Sequence, residues 1–410
     1  MNGTPRANRL HIGIFGRRNV GKSSLINALT GQEAALVADN PGTTTDPVFK
    51  SMELLPLGPC VLIDTAGIDD EGSLGNLRIK KTREIIEITD LAILVIDPLQ
   101  GISQWEQDLL GQLRTRDIPV VAVLNKADLT PFPIDELEEV LGIPLLPVSA
   151  LSQTGMVKLK ETIIAQAPRH YQNKAIVGDI IKPKDLCILV TPIDSAAPAG
   201  RMILPQVQTI RDILDHNGQA LVVKETELKE ALASLTHPPR LVITDSQVFA
   251  QVSSMVTPDI PLTSFSILFA RYKGDLKTLI KGVEAVKQLK PGDKVLIAEA
   301  CTHHRQEDDI GTVKIPRLLQ QRVGGKLQIN TCSGSSYPDD LSSYKLIIHC
   351  GACMINRRQM LSRIKKACDA GVPIVNYGVL LAYLNGILDR TLAPFREELS
   401  SSTNGKIGDD

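Results

Sequence analysis

The chain has 410 residues, 43% hydrophobic and 22% charged, with a formal net charge of −1. That balance excludes a disordered chain, and it offers no broad basic field and few aromatic platforms, so no nucleic-acid partner is expected. No apolar run reaches the roughly 20 residues that cross a bilayer. Met1 to Leu10 lacks the apolar stretch of a secretory leader, so a cytoplasmic protein with no membrane partner is expected.

In chain order, Leu10–Phe15 reads as a buried strand and 24–30 as a helix stopped by Gly31. Between them lies Gly16-Arg17-Arg18-Asn19-Val20-Gly21-Lys22-Ser23, the P-loop pattern. Its glycines let backbone N–H groups turn around phosphate oxygens, and the helix start adds a positive end. Gly16, Asn19, Val20, Gly21, Lys22, Ser23 and Ser24 are the candidate phosphate-binding residues. Lys22 would neutralise the β- and γ-phosphates, and the Ser23 hydroxyl would ligate Mg²⁺.

Pro41-Gly42-Thr43-Thr44-Thr45-Asp46 fits a first switch segment. Thr44 is the choice for the Mg²⁺ and γ-phosphate contact, with Thr43 and Thr45 as alternatives. A strand over 60–63 ends in Asp64-Thr65-Ala66-Gly67, where Asp64 can hold Mg²⁺ through water and the Gly67 N–H can meet the γ-phosphate. Ile68 follows, an apolar side chain that cannot orient a water. Val120–Leu124, another strand, ends in Asn125-Lys126-Ala127-Asp128. The Asp128 carboxylate can accept two N–H donors from guanine, and adenine would leave it unpaired. Ser149 and Ala150 follow a further strand, and in the GTPase superfamily, which these motifs resemble, that position is the last guanine-loop element.

These ordered motifs resemble the GTPase superfamily, in particular the bacterial GTPases related to tRNA-modifying and ribosome-assembly enzymes. Some of those use a K⁺ ion held partly by a P-loop asparagine, and Asn19 stands at that position, although it also fits a plain turn residue. The resemblance implies slow, K⁺-stimulated hydrolysis of GTP to GDP, with Lys22, Ser23, Thr44 and Asp64 as the catalytic residues.

A helix over 155–166 and Ala167-Pro168 close this unit, which places a boundary near residue 172. Next come strands over 185–190, 220–223 and 241–244 alternating with helices over 206–216, 225–235 and 247–256. This small α/β domain, 173–265, has no nucleotide motif and reads as a packing or oligomerisation module. A third α/β unit, 266–396, follows. It has strands over 294–299, 326–331, 345–349 and 373–376, and helices over 275–289, 314–321, 357–370 and 378–384. The polar tail, 397–410, is expected to be disordered. The expected fold class is therefore α/β: a P-loop GTPase domain followed by two small parallel-sheet units.

The seven cysteines, in a reducing compartment, are read as thiols or ligands before disulfides. Cys301 and His303 follow the strand 294–299; His349-Cys350-Gly351-Ala352-Cys353 begins where the strand 345–349 ends. The carboxyl ends of parallel strands share one edge, where ligands bind. Three thiols and two imidazoles gathered there suit a soft metal or an iron–sulfur cluster. A structural Cys₃His zinc site needs the same residue types, and the bare Cys-x-x-Cys also fits a redox dithiol. Cys60, Cys187 and Cys368 read as core residues, and Cys332, also after a strand, is ambiguous.

The combination of a GTPase with Cys301-x-His303 and a distant His349-Cys350-x-x-Cys353 resembles the HydF family of FeFe-hydrogenase maturation GTPases. The resemblance implies three domains in the order GTPase, dimerisation and cluster-binding, assembled as a homodimer or higher homo-oligomer. It implies a 4Fe–4S cluster on Cys301, Cys350 and Cys353, with one iron open or weakly held. His303, His349 and Asp194 are candidates for a fourth ligand or for groups beside the cluster. The implied function is a scaffold and carrier. It accepts a diiron precursor carrying CO and cyanide from radical-SAM maturases and delivers it to apo FeFe-hydrogenase, with GTP hydrolysis as a timer. The alternative is a zinc-containing regulatory or RNA- or ribosome-associated GTPase.

Overall fold

The computed structural model describes residues 4–31, 47–65, 73–129, 132–168, 175–193, 202–300, 309–334 and 336–400, with the backbone alone over 73–79. The chain forms two compact units, Met1–Asn173 and Lys174–Asp410.

The first unit is built on β1 (Leu10–Phe15), β2 (Val48–Leu54), β3 (Gly58–Asp64), β4 (Leu91–Ile96), β5 (Val120–Leu124) and β6 (Leu145–Pro147). They lie in the order β2-β3-β1-β4-β5-β6. Only β2 runs antiparallel to its neighbour. Every residue of β1 and β4 is buried. Central parallel strands are covered on both faces, which is why they read as continuous apolar runs rather than alternating ones. On one face Ile12, Ile14 and Val123 pack with Leu25 and Leu159 of the Lys22–Thr30 and Met156–Gln166 helices. On the other, Phe15, Ile63 and Leu94 pack with Leu109 and Leu113 of the Gln104–Arg114 helix. The parallel arrangement delivers the loops after β1, β3 and β5 to one edge.

The second unit carries two sheets. β7 (Leu186–Val190), β8 (Gln219–Val223), β9 (Leu241–Thr244) and β10 (Leu262–Ser264) take the order β10-β9-β7-β8. β11 (Lys294–Glu299), β12 (Gln328–Ser333), β13 (Leu346–His349) and β14 (Ile374–Asn376) take the order β12-β11-β13-β14. Both sheets are wholly parallel. They share one core, in which Leu189 and Ile243 join Ile297 and Ile347 through Phe265, Leu268 and Phe269. These three side chains belong to a Phe265–Lys273 helix that the sequence reading did not single out. The helix is buried around most of its circumference, so the amphipathic signature is weak. Its start is fixed by Ser264, whose Oγ accepts from the Ile267 N–H at 3.2 Å.

Two further differences have physical causes. The helix expected over 275–289 is broken into Leu276–Lys281 and Val283–Gln288. The break falls at Gly282, where a Cβ would stand 2.1 Å from the Ile374 carbonyl oxygen, so the backbone there packs directly on β14. The tail expected to be disordered from residue 397 begins with a short helix, Arg396–Ser400. Glu398 on that helix pairs with Arg271, which also pairs with Asp179. Among the described residues no helix is long and apolar enough to cross a membrane.

Candidate functional site

The nucleotide motifs meet at the edge of the first sheet. Gly21 caps the Lys22–Thr30 helix in the left-handed region, φ 91°, and a Cβ there would lie 2.3 Å from Asn125 Nδ2. That approach is used: Asn125 Nδ2 donates to the Val20 carbonyl at 2.9 Å, and Asn125 Oδ1 accepts from the Ala150 N–H at 3.1 Å. One buried amide thus ties the P-loop, the Asn125–Asp128 loop and the Ser149–Ala150 loop together. Gly16 packs so close to β4 that a Cβ would meet the Val95 carbonyl at 2.5 Å. Lys22 curls over the loop, donating to the carbonyls of Gly16 at 2.8 Å and Arg17 at 2.7 Å. Asn19 is exposed at φ 62°, and Ser24 is exposed at the first turn of the helix.

The Ser23 hydroxyl donates to Asp64 Oδ2 at 2.6 Å. Asp64 Oδ1 is buried without a hydrogen-bond partner. Burial holds the Asp64 carboxyl above its usual range, opposed by the Ser23 bond and the Lys22 charge. A hydroxyl and an unsatisfied carboxylate oxygen beside the P-loop are hard donors that suit Mg²⁺. In the guanine loops Lys126, at φ 62°, reaches Asp97 Oδ2 at 2.6 Å, while the Asp128 side chain is exposed and Ser149 is buried.

The sequence reading missed Arg17. Its Nε donates to Glu106 Oε1 at 2.6 Å, and its Nη2 reaches the carbonyls of Gln100 and Gly101. Glu106 is fully buried and also accepts from the Ser103 N–H at 2.8 Å, completing a capping box. The Ser103-x-x-Glu106 spacing was the available signal for the helix start. Nothing in it pointed to the P-loop arginine.

The second unit brings one set of cysteines to the carboxyl edge of its last sheet. β11 and β13 are parallel neighbours, with Ala298 opposite His349. Past that pair, the Cys350 N–H donates to the Ala298 carbonyl at 3.0 Å, and the Ala300 N–H donates to Cys350 Sγ at 3.1 Å. Ala300 is the residue before Cys301. The turn Cys350–Cys353 places Ala352 at φ 57°. Burial raises the Cys353 thiol; the Lys273 charge and the backbone N–H groups of Cys353 and Met354 act the other way. Thr44, Gly67, Ile68, Asp194, Cys301 and His303 lie outside the described residues. Among the described residues no three His, Cys, Asp or Glu side chains gather as a metal site.

His349 takes a place at odds with an iron ligand. It is completely buried, its Nδ1 pairs with the Cys350 carbonyl at 2.9 Å, and its Nε2 faces Arg363 Nη1 at 3.0 Å. A guanidinium only donates, so Nε2 accepts and Nδ1 carries the proton. Both nitrogens are used and no lone pair remains for a metal. Burial, with the Arg363 charge second, lowers its pKa to about 3. Of the cysteines read as core, Cys60 and Cys187 are buried, with burial pushing their thiols up to about 11 and about 12. Cys368 is instead exposed. It sits one residue beyond the buried stripe Met360-Arg363-Ile364-Ala367 of the Arg357–Asp369 helix, in its last turn. Cys332 lies within β12 opposite Ala298, half-buried.

Comparison with known proteins accounts for about four fifths of the chain. Residues 11–126 match the model of a 50S ribosome-binding GTPase. Residues 176–274 match the hydrogen maturase F dimerization domain, and 277–394 the hydrogen maturase F tetramerization domain. The chain belongs to the hydrogen maturase F family. Its first unit is a P-loop GTPase domain, followed by small parallel-sheet units. Curated relatives match that first part. The tRNA modification GTPase MnmE of Natranaerobius thermophilus is 36% identical over 178 residues, 43% of this chain and 36% of that protein. The MnmE of Heliobacterium modesticaldum is 39% identical over 154 residues, 37% of this chain and 32% of that protein. The chain spans about a third of the length of these relatives. Among solved structures, a variant of Era from Aquifex aeolicus bound to GDP and aluminium fluoride is 20% identical. It covers 52% of this chain and 93% of its own, with a TM-score of 0.36.

Proposed function

We propose that this hydrogen maturase F chain is a GTP-hydrolysing scaffold that binds a 4Fe–4S cluster on Cys301, Cys350 and Cys353. It accepts a diiron precursor carrying CO and cyanide from radical-SAM maturases and delivers it to apo FeFe-hydrogenase. The observation that carries the reading is the hydrogen bond from the Ala300 N–H to Cys350 Sγ. It sets the segment entering Cys301 beside the Cys350–Cys353 turn, although Ala300 and Cys350 are 50 residues apart in sequence. The thiolate donors fit the group: soft sulfurs at a sheet edge, with backbone N–H groups aimed at Cys353 and Cys350. When bound, a cluster held by three thiolates supplies an iron corner to which an incoming ligand can bridge. Asp194 and His303 are the proposed candidates at that corner; His349 is not, because its nitrogens are engaged.

In the first unit, Ser23, Thr44 and Asp64 would hold Mg²⁺, Lys22 would neutralise the phosphates, and Asp128 would read guanine. Asn19, exposed on the P-loop, would hold K⁺ and so stimulate a slow hydrolysis. Change at the switch segment on loss of the γ-phosphate then biases partner binding. The proposed division is GTPase over 1–172, dimerisation over 173–265 and cluster binding over 266–396. Self-association is supported by the matched dimerization and tetramerization domains. It is supported also by the edge strand β8 with Val222 exposed, and by Val207 and Leu214 exposed on the Leu204–Asp215 helix.

Anaerobic reconstitution with iron and sulfide, followed by activation of an apo FeFe-hydrogenase, tests this function. A brown protein with a reduced 4Fe–4S EPR signal that supports activation is expected. A colourless protein with one tightly bound zinc per chain would establish the regulatory GTPase instead.

A further inference from the structure

Lys273 ends the Phe265–Lys273 helix, the last helix of the segment matched by the dimerization-domain model, and takes no part in the nucleotide or cysteine motifs. Its side chain is 1% exposed. Nζ donates to the carbonyl oxygens of Ala352 at 3.2 Å, Cys353 at 3.1 Å and Ile355 at 2.8 Å. A neutral amine has only two N–H groups, so three acceptors account for all three protons of an ammonium. The ring of Phe269 lies 5.8 Å from Nζ. Among the described residues no carboxylate pairs with Nζ; burial lowers its pKa to about 8, which leaves it largely protonated at neutral pH, and the sulfurs of Cys353 and Cys350 act the other way.

Burying an ammonium without an anion is costly. The three carbonyls satisfy its hydrogens but do not cancel its charge. They converge because the turn passes through Ala352 at φ 57°, and the N–H groups of Cys353 and Met354 are left to serve the Cys353 sulfur. Lysine and peptide dipoles thus place positive potential on one side of the cysteine turn. A 4Fe–4S²⁺ core on three thiolates carries one net negative charge and gains a second when reduced by one electron.

We propose that Lys273 is the counter-ion of the iron–sulfur cluster, a positioning residue that holds the Cys350–Ile355 turn and makes the cluster easier to reduce. The inference rests on the reading of Cys301, Cys350 and Cys353 as cluster ligands. The electron comes from an external low-potential reductant such as dithionite, and no bond or proton changes at Lys273.

The test is an EPR-monitored redox titration of the full chain, reconstituted anaerobically, for wild type, Lys273→Met, Lys273→Gln and Lys273→Arg. Lys273→Gln keeps N–H donors without charge, so it remains informative where the loss of all donors in Lys273→Met disturbs folding. Removing the charge is expected to weaken reduction about tenfold or more, a midpoint about 59 mV or more lower for one electron. Lys273→Arg, which keeps the charge, is expected to stay near wild type. Neutral variants that load iron and keep the wild-type midpoint would overturn the role of Lys273 while leaving the cluster intact. An arginine variant shifted as far as the neutral ones would overturn it too. A wild-type chain that takes up no iron would instead overturn the cluster reading itself.

Discussion

His349 and Arg363 are joined by a hydrogen bond of 3.0 Å, guanidinium to imidazole, in the interior of the second unit. The pair keeps the imidazole neutral and aims its one proton at the Cys350 carbonyl. The histidine of the His349-Cys350-x-x-Cys353 segment therefore supports the loop from below.

A pH dependence follows. Burial depresses the folded pKa of His349 from 6.5 to about 3. Above 6.5 neither state is protonated and the group is silent. As pH falls from 6.5 towards 3 the unfolded chain binds a proton that the folded chain refuses. Stability is then lost by up to about 1.4 kcal/mol per pH unit. The protection factors of the β13 amides in the cluster-free chain, corrected for the intrinsic slowing of exchange in acid, are expected to fall between neutral pH and pH 5. In His349→Gln that extra slope should vanish, and a slope equal to wild type would refute the assignment. The same variant, once loaded, should keep the wild-type cluster EPR signal if His349 is no ligand.

Asn125 holds three loops with one amide. Asn125→Ala leaves the Val20 carbonyl and the Ala150 N–H without their partner. The expected cost is about 1–3 kcal/mol in the first unit, with GTP binding weakened about tenfold or more. Titration with a fluorescent GTP analogue reads the affinity, and unchanged binding would show that the loops are held by other means.

The K⁺ role proposed for Asn19 rests on its place on the P-loop. Turnover of GTP in KCl against NaCl should show stimulation in wild type and little in Asn19→Ala. Asn19 is exposed but holds φ 62°, where alanine is strained, so Asn19→Ala should also cost about 1 kcal/mol of stability, and the K⁺/Na⁺ ratio is the readout that separates the two effects. Equal stimulation in both proteins would return Asn19 to the role of a turn residue.

The legible parts of this chain were those where physics acts locally. The P-loop, Asp64 and Asn125–Asp128 follow strands whose apolar runs are unmistakable, and the order β-strand, loop, helix repeats in sequence as it does in space. The Phe265–Lys273 helix was hidden because burial on nearly all sides erases its periodicity. The partners of His349 and Lys273 were hidden for a different reason. Arg363 and the carbonyls of Ala352, Cys353 and Ile355 reach them only through tertiary packing, which no spacing rule encodes. Cys368 read as core from helix membership alone, and the missing fact was its position past the buried stripe.

Iron content and reduced-state EPR of the anaerobically reconstituted full chain test the central claim most directly, compared across Cys301→Ser, Cys350→Ser, Cys353→Ser and the exposed control Cys368→Ser. Wild type and Cys368→Ser should carry about four irons per chain, and each of the other three should lose the cluster. A full complement of iron and an unchanged signal in Cys301→Ser would contradict the account, because the two cysteine segments would then not share one cluster.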